Sequence, residues 1–424
     1  LGGATLTATR SFAPPTGSSF TIVDGTGALT PQFAGLDDGD TLYLSGLPFT
    51  VDYTGTDFVL TLEQPAEVWV NDTWTEVTDD SGGPPDLTLE PGDVVSTSVG
   101  DVPETLTKVF GFNAYDTIQG GVDGVADSGI VNVISGVYPE NVVIDKPLSM
   151  LGPNVGKAGD DPSRLTEAIV YPAVNDPEFG TLVQVRASNV TIDGLTIDGD
   201  NPDLSGGYDV GGVDVNVAEG IMNGFYNDPD YSTDLTSISD LTIQNNVIKN
   251  FPYQGVYLEE TLGSDSSWNY IQNNLFDNMW EGIQTYAIHT DISHNTFTHV
   301  RSGLSIHGTT AAPESGFVPQ IASNTINLEW RDYPGVNTGV GIWVNYRRAA
   351  APAIDVHDNI INAPATVPVG KTLRGIFGQT ITDDRDVTFT NNTINGGGVL
   401  SEGYYFSNTP SHNVSISGGA VSNV

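Results

Sequence analysis

The 424-residue chain contains no cysteine. That excludes a disulfide framework and any Cys-ligated metal site, so stability has to come from a large core. Basic residues are scarce as well. Fourteen Lys and Arg, only five of them Lys, stand against 53 Asp and Glu, for a formal charge of −39. A surface of that sign repels nucleic acid and anionic membranes, so neither is expected as a partner. It suits water rich in salt or Ca²⁺, where counter-ions screen the self-repulsion, and hence a secreted or cell-surface protein. No apolar run approaches the roughly 20 residues that span a bilayer, so membrane insertion is not expected. Leu1 is neither an initiator Met nor the start of a signal-peptide pattern, and the last residues still read as a repeat. The expectation is a piece of a longer mature chain.

What the chain has instead is 49 Gly, 25 Pro and a charged fraction of only 16%, which points away from helices and toward turn-rich β structure. Three segments are expected. Residues 1–66 read as a small β-rich module, with short strands at Phe20–Val23, Thr41–Leu44 and Phe58–Thr61 between Gly/Asp turns. Residues 67–127 read as a connecting region. It holds a Pro/Gly/Asp-rich linker or loop from Asp79 to Asp93, then Tyr115, Ile118, Val122 and Val125 at helical spacing. A short amphipathic helix there would cover the open end of a sheet.

Residues 128–424 form the third segment, in which short β runs begin at Ile130 and, from Val190, a repeat can be written out of the form apolar-x-apolar-x-x-Asn-x-apolar. Its asparagines are Asn246, Asn274, Asn295, Asn324, Asn359 and Asn392, at spacings of 28, 21, 29, 35 and 33 residues. Leu195 holds that position in the first unit and Gly419 in the last. Stacked coils place one turn position a strand spacing apart, about 4.8 Å. An inward Asn amide can then bond the amides above and below it. The variable spacing fits a solenoid, which absorbs insertions as loops. The predicted fold is therefore all-β, a right-handed parallel β-helix preceded by the small β-rich module and a short helical cap.

Two resemblances follow from these residues. The stretch FAGLDDGDTLYLSGLPFTVDYTGTDFVLTL resembles the β-rich repeats of very large bacterial exoproteins and autotransporter-like passengers. Residues 128–424 resemble the pectate-lyase-like superfamily of right-handed parallel β-helices, which hosts lyases, hydrolases, epimerases, phage tailspikes and plain surface proteins. In those families the strand after the Asn turn and its loop begins with Gly, and its outward residues line the working groove. Here that strand recurs at Gly220, Gly255, Gly282, Gly303, Gly341 and Gly375. Alternation sends Val256, Leu258, Ile283, Leu304, Ile306, Ile342 and Val344 inward, with Thr285 as a polar exception. The outward rows are Tyr257, Gln284, Ser305, Trp343, Phe377 and Glu259, Tyr286, His307, Asn345, Gln379.

Aromatic faces stack on sugars while amides and carboxylates bind hydroxyls, so Tyr257, Glu259, Gln284, Trp343, Asn345 and Arg348 are candidate glycan-binding residues. Six of the nine Arg lie between residues 301 and 385, where they could pair a uronate carboxylate. On the resemblance to polyuronate lyases and epimerases, Arg347 or Asn345 would neutralise that carboxylate, and Tyr286 or His307 would remove the C5 proton. The departures are specific. Mannuronan epimerases carry Asp-Pro-His-Glu where this chain has Tyr257-Leu258-Glu259-Glu260. Of the polygalacturonase pattern only Ile306-His307-Gly308 remains, without its Asp pair, and the Lys-and-Arg pair of alginate and chondroitin lyases is not recognisable.

The stretch between Arg186 and Lys249 contains no Lys or Arg. Asp198, Asp200 and Asp203 in its Gly-rich loop are candidate Ca²⁺ ligands, although the spacing does not follow the EF-hand rule. The competing reading is a solvated acidic loop. His289 and His307 lack the i,i+4 partner that a metal pair needs. The functional expectation is an extracellular structural or adhesive β-helix segment of a surface protein, partnered by polysaccharide or by other copies of itself. The alternative is a polysaccharide lyase or epimerase acting on an acidic glycan.

Overall fold

The computed structural model describes residues 1, 3–30, 32–81, 83–86, 88–98, 106–227, 232–235, 238–259, 268–286, 289–307, 318–332, 335–345, 354–379, 387–407 and 414–424. It divides into two compact units, Leu1–Gly136 and Val137–Val424.

The first unit opens with an antiparallel sheet of four strands: Ser19–Val23, Thr41–Leu44, Leu47–Thr54 and Asp57–Leu62. Ser45 and Gly46, both at positive φ, form the two-residue turn that joins the second and third of these. Alternation along the last two strands buries Leu47, Phe49, Val51, Phe58, Leu60 and Leu62 as the core of the sheet. Thr75–Thr78 and Val94–Thr97 pair antiparallel, so the Pro/Gly/Asp-rich stretch is the connection between them. Glu67–Val70 pairs in parallel with Gly129–Val133. The expected helix spans Ile118–Gly124. Thr117 caps it by accepting the Gly120 N–H, and Ile118 and Val122 are buried beneath. Gly121 packs so close to the parallel pair that a Cβ there would sit 2.7 Å from Val70 Cγ2.

The second unit winds as a parallel β-helix. Three strand faces recur in the same order, and each strand pairs in parallel with its counterpart one turn later; parallel crossovers of this kind are almost always right-handed. The first face runs from Leu148–Leu151 and Val190–Asp193 to Val387–Thr390 and Val414–Ser417. The second runs from Ala168–Tyr171 and Thr196–Asp198 to Thr393–Asn395 and Ala420–Ser422. The third begins at Val142–Ile144, Asp176–Val185 and Val217–Met222 and ends at Thr372–Gln379 and Glu402–Ser407. In three successive turns one long strand carries both the second and third faces: Val247–Leu258, Leu275–Thr285 and Thr296–His307. Each bends where Asn250, Asn278 or His299 takes positive φ.

Period-2 alternation on each face sends one apolar column inward. On the first face Ile243, Ile271, Ile292, Ile321 and Val356 stand in register; on the third, Val256, Ile283, Leu304, Ile342 and Ile376 do. All of these are fully buried. On the second face the rings of Phe276 and Phe297 stack 4.8 Å apart and 9° from parallel, so the coil spacing becomes a ring-stacking distance. In the last turn, by contrast, Ile416 and Val421 are about half exposed, at 48% and 50%.

The predicted asparagine ladder lies at the turn from the first face to the second. All six residues are buried. Oδ1 of Asn274, Asn295, Asn324, Asn359 and Asn392 accepts both the backbone N–H and the Nδ2–H of the preceding ladder residue, at 2.9–3.2 Å. Each Nδ2 also donates to a first-face carbonyl of the coil before, from Ile192 O to Val356 O, at 2.8–2.9 Å. The residue before each ladder Asn adopts the left-handed conformation, with φ of 55–58° at Asn245, Asn273, His294, Ser323, Asp358 and Asn391. Non-glycine residues hold that conformation only where the surroundings over-determine it, and the ladder does so here.

Asn295→Ala is expected to cost about 3 kcal/mol or more, because the Asn274 N–H and the Ile271 carbonyl lose their partners inside the core. Asn392→Ala, with no ladder asparagine after it, should cost less. Denaturant unfolding of the two variants checks the order, and equal losses would contradict a cooperative ladder.

Candidate functional site

The outward rows of the third face fall where alternation puts them. Tyr257, Gln284, Ser305, Trp343, Phe377 and Tyr405 are successive register partners, as are His307, Asn345 and Gln379. The column of glycines before them has a steric cause. A Cβ on Gly303 would lie 2.5 Å from Gly341 O, and one on Gly375 would lie 2.5 Å from Gly403 O. Only glycine lets consecutive coils close up at this bend, which fixes where the outward rows start.

Rings continue from coil to coil along the face. Tyr257 meets Tyr286 edge-on at 6.1 Å, and Tyr286 stacks on His307 at 4.4 Å. His307 meets Trp343 at 5.4 Å, Trp343 stacks on Phe377 at 5.5 Å, and Phe377 lies 5.3 Å from Tyr405. Five coil steps make this rank about 24 Å long. Polar groups accompany it. Tyr257 Oη donates to Glu259 Oε2 at 2.8 Å, and Gln284 Nε2 donates to Tyr286 Oη at 3.0 Å. Asn345 Nδ2 lies 3.1 Å from His307 Nδ1, and Ser305 Oγ lies 3.1 Å from His307 Nε2. An amide donating to Nδ1 fits the neutral ring with its proton on Nε2, directed at Ser305. Three buried polar atoms beside this network have no hydrogen-bond partner among the described residues: Trp343 Nε1, Asn345 Oδ1 and Gln379 Oε1.

Of the residues singled out in the sequence, Tyr257, Glu259, Gln284, Tyr286, His307, Trp343 and Asn345 therefore share one face. Arg347 and Arg348 lie outside the described residues, as does Arg385. The other arginines of that cluster are engaged with carboxylates or rings. Arg331 bonds Glu329 at 2.7 Å and Asn278 at 3.1 Å. Arg374 bonds Glu402 at 3.0 Å and lies over the Tyr405 ring. Buried Arg301 acts on the charge of Glu281. His289 packs edge-on against Trp268, apart from the rank of rings that holds His307.

The candidate Ca²⁺ ligands Asp198, Asp200 and Asp203 are not gathered into one ligand set. Asp198 is 4% exposed; its Oδ2 pairs with Lys249 Nζ at 3.0 Å and its Oδ1 accepts from Asn250 Nδ2 at 2.7 Å. Burial and the charges of Asp198 and Asp214 raise the Asp200 carboxyl. Among the described residues, the carboxylates close enough to share an ion are instead Glu76, Asp79 and Asp93 of the first unit.

The structure adds a column that the sequence reading did not single out. Glu219, Gln254, Glu281 and Ser302 each precede one of the column glycines, and Gln254, Glu281 and Ser302 are register partners. Glu219 Oε2 accepts the Gln254 N–H at 3.0 Å; Gln254 Nε2 donates to Glu281 Oε2 at 3.3 Å and to Gln284 Oε1 at 2.6 Å. Glu219 is 1% exposed, and burial pushes its carboxyl up to about 8, opposed by the Gln254 N–H. Burial also raises Glu281, against the Ser305 hydroxyl and Arg301. Near neutral pH Glu219 is therefore a carboxylic acid that can donate a proton, a capacity an ordinary surface carboxylate lacks.

Comparison with known proteins gives no matching protein family and no matching curated relative. Among solved structures, the chain is similar to the pectin methylesterase from Aspergillus niger, at 12% identity over 73% of this chain and 83% of that one, with a TM-score of 0.34. It is also similar to tailspike protein gp49 from Acinetobacter baumannii bacteriophage Fri1, a capsular polysaccharide depolymerase. The identity there is 12% over 97% and 69% of the two chains, with a TM-score of 0.34. The catalytic domain of a GH87 α-1,3-glucanase matches at 11% identity over 86% and 73%, with a TM-score of 0.28.

A Glu219 carboxyl near 8 in the fold and near 4.5 in the unfolded chain makes the folded state the tighter proton binder. Its contribution is fully favourable below pH 4.5 and is lost as pH rises toward 8, by roughly 5 kcal/mol at most. Glu219→Gln keeps an acceptor for the Gln254 N–H and removes the titration. Its Tm is expected to exceed that of the parent by several degrees at pH 8 and to match it at pH 5. The same fall with pH in both proteins would contradict the assignment.

Proposed function

We propose that the chain is an extracellular glycan-binding β-helix that serves a structural or adhesive role within a larger surface protein. The unbroken rank of rings from Tyr257 to Tyr405 carries this reading. Tyr286, His307, Trp343 and Tyr405 are partly exposed and offer a polysaccharide apolar platforms at strand spacing, while Tyr257 and Phe377 are buried between and beside them. The Glu259 carboxylate and the Gln284 and Asn345 amides beside the rings are side chains of the kind that complement sugar hydroxyls. A formal charge of −39 favours a solvated, non-aggregating surface in saline water.

A second reading, glycan cleavage, is favoured by one observation: Glu281 and Glu219 are acids with raised carboxyls on the same face as Tyr257 and Tyr286. Glu281 keeps partial exposure, so it is the member able to reach a glycosidic oxygen as a general acid. The described arginines near the face are engaged with Glu281, Glu329 and Glu402, which weakens the alternative of charge-neutralised proton abstraction from a uronate.

Affinity electrophoresis against neutral, uronate-rich and sulfated polysaccharides tests the binding reading. Retardation is expected on at least one gel, and Trp343→Ala should weaken it at least tenfold, about 1.4 kcal/mol. Unaltered retardation in the variant, or none on any gel, would remove the basis for the reading. Release of reducing ends that Glu281→Gln abolishes would replace binding with hydrolysis.

A further inference from the structure

One turn of the β-helix departs from its neighbours. The second and third faces run on without interruption in Val247–Leu258 and Leu275–Thr285, but Thr196–Asp198 and Val217–Met222 are separated by an insertion. Within it, Tyr208–Val210 and Val213–Val215 form an antiparallel hairpin around Gly211 and Gly212, both at positive φ. Val210 and Val215 pack on Trp280, with Val213 and Tyr253 against them. Asn278 Nδ2 donates to Val210 O at 2.9 Å, and a Cβ on Gly211 would meet Asn278 Oδ1 at 2.5 Å. The hairpin is thus fixed on the coil surface, and it walls a cavity of about 700 Å³ lined by Tyr208, Asp209, Tyr253, Trp280, Asp332 and Lys371, with Gly335.

We infer that this cavity is a saccharide site for a sugar that carries no carboxylate. Its size is that of small-ligand pockets, and three aromatic residues supply the apolar walls that a pyranose face needs. The carboxylates set the class of sugar. One oxygen of Asp209 accepts the Gly212 N–H and one of Asp332 accepts from Trp330 Nε1, which leaves a second oxygen on each without a partner among the described residues. Both are acceptors, suited to hydroxyl or amino donors and repulsive to a uronate. Lys371 does not reverse that preference, because its ammonium is held by Asn337 Oδ1 at 2.8 Å, Val336 O at 3.2 Å and the Trp330 ring. None of the residues that line the cavity belongs to the rank of rings.

The test is titration of the full chain with cellotetraose, maltotetraose, the chitosan tetramer and tetragalacturonate, followed by intrinsic tryptophan fluorescence and calorimetry. At least one of the first three should bind, and tetragalacturonate at least tenfold more weakly. Tyr208→Ala and Asp332→Asn, both at exposed positions, should each weaken that binding at least fivefold, while Tyr43→Ala, at an exposed position of the first unit, leaves it unchanged. Overturning outcomes are no binding of any non-acidic tetramer, stronger binding of tetragalacturonate, or binding indifferent to both pocket variants. Loss in Trp343→Ala alone would assign the affinity to the rank of rings and likewise overturn the site.

Discussion

A primary amide repeated once per turn holds the β-helix in register. Each ladder oxygen accepts two hydrogens from the coil before, and each ladder nitrogen gives one to a backbone carbonyl. Those bonds lie inside the core, where an unmet partner costs most and a met one is strongest. They fix the corner between the first two faces, and with it the left-handed residue before every Asn. Once that corner repeats, the alternation on each face has no freedom left. The inward columns align, the glycines meet the carbonyls of the next coil, and the outward side chains fall into rows. The candidate site therefore inherits its spacing from a turn on another side of the coil.

This dependence explains what could be read in advance. The ladder positions and the strand alternation are local patterns, so the fold and the rows from Tyr257 and from His307 were legible residue by residue. The Glu219–Gln254–Glu281 column was not, although one signal lay in view: each of these residues directly precedes a column glycine. The reading began its strands at the glycines, and strict alternation stopped there. In the structure the pairing is irregular between Phe251 and Gln254, and Gln254 lies in register with Glu281 and bonds Gln284. The aromatic cavity was less legible still. Its residues come from an inserted hairpin and from separate coils, and only the stacking of those coils brings Asp209 near Trp280 and Lys371. The acidic loop illustrates the opposite case. Its density of carboxylates suggested a cation, and Lys249, one coil further on, supplies a positive charge to Asp198.

The scarcity of bases has a structural counterpart. Among the described residues near the third face, Arg301, Arg331 and Arg374 are each opposed to a glutamate. Such pairs neutralise charge where coils stack closely, and they leave the net negative charge to the outer surface. Glu219, on which no cation acts, responds by holding its proton more tightly. Protonation then takes the place of ion pairing as the way to keep a carboxyl under cover.

The ladder also has a direction. From Asn246 to Asn359 each amide gives a hydrogen toward the next coil, and all six receive from the one before, so the side-chain dipoles add instead of cancelling, much as peptide dipoles do along an α-helix. The core of this β-helix is thus electrically polar along its axis, and its first and last coils are different surfaces even where their sequences repeat.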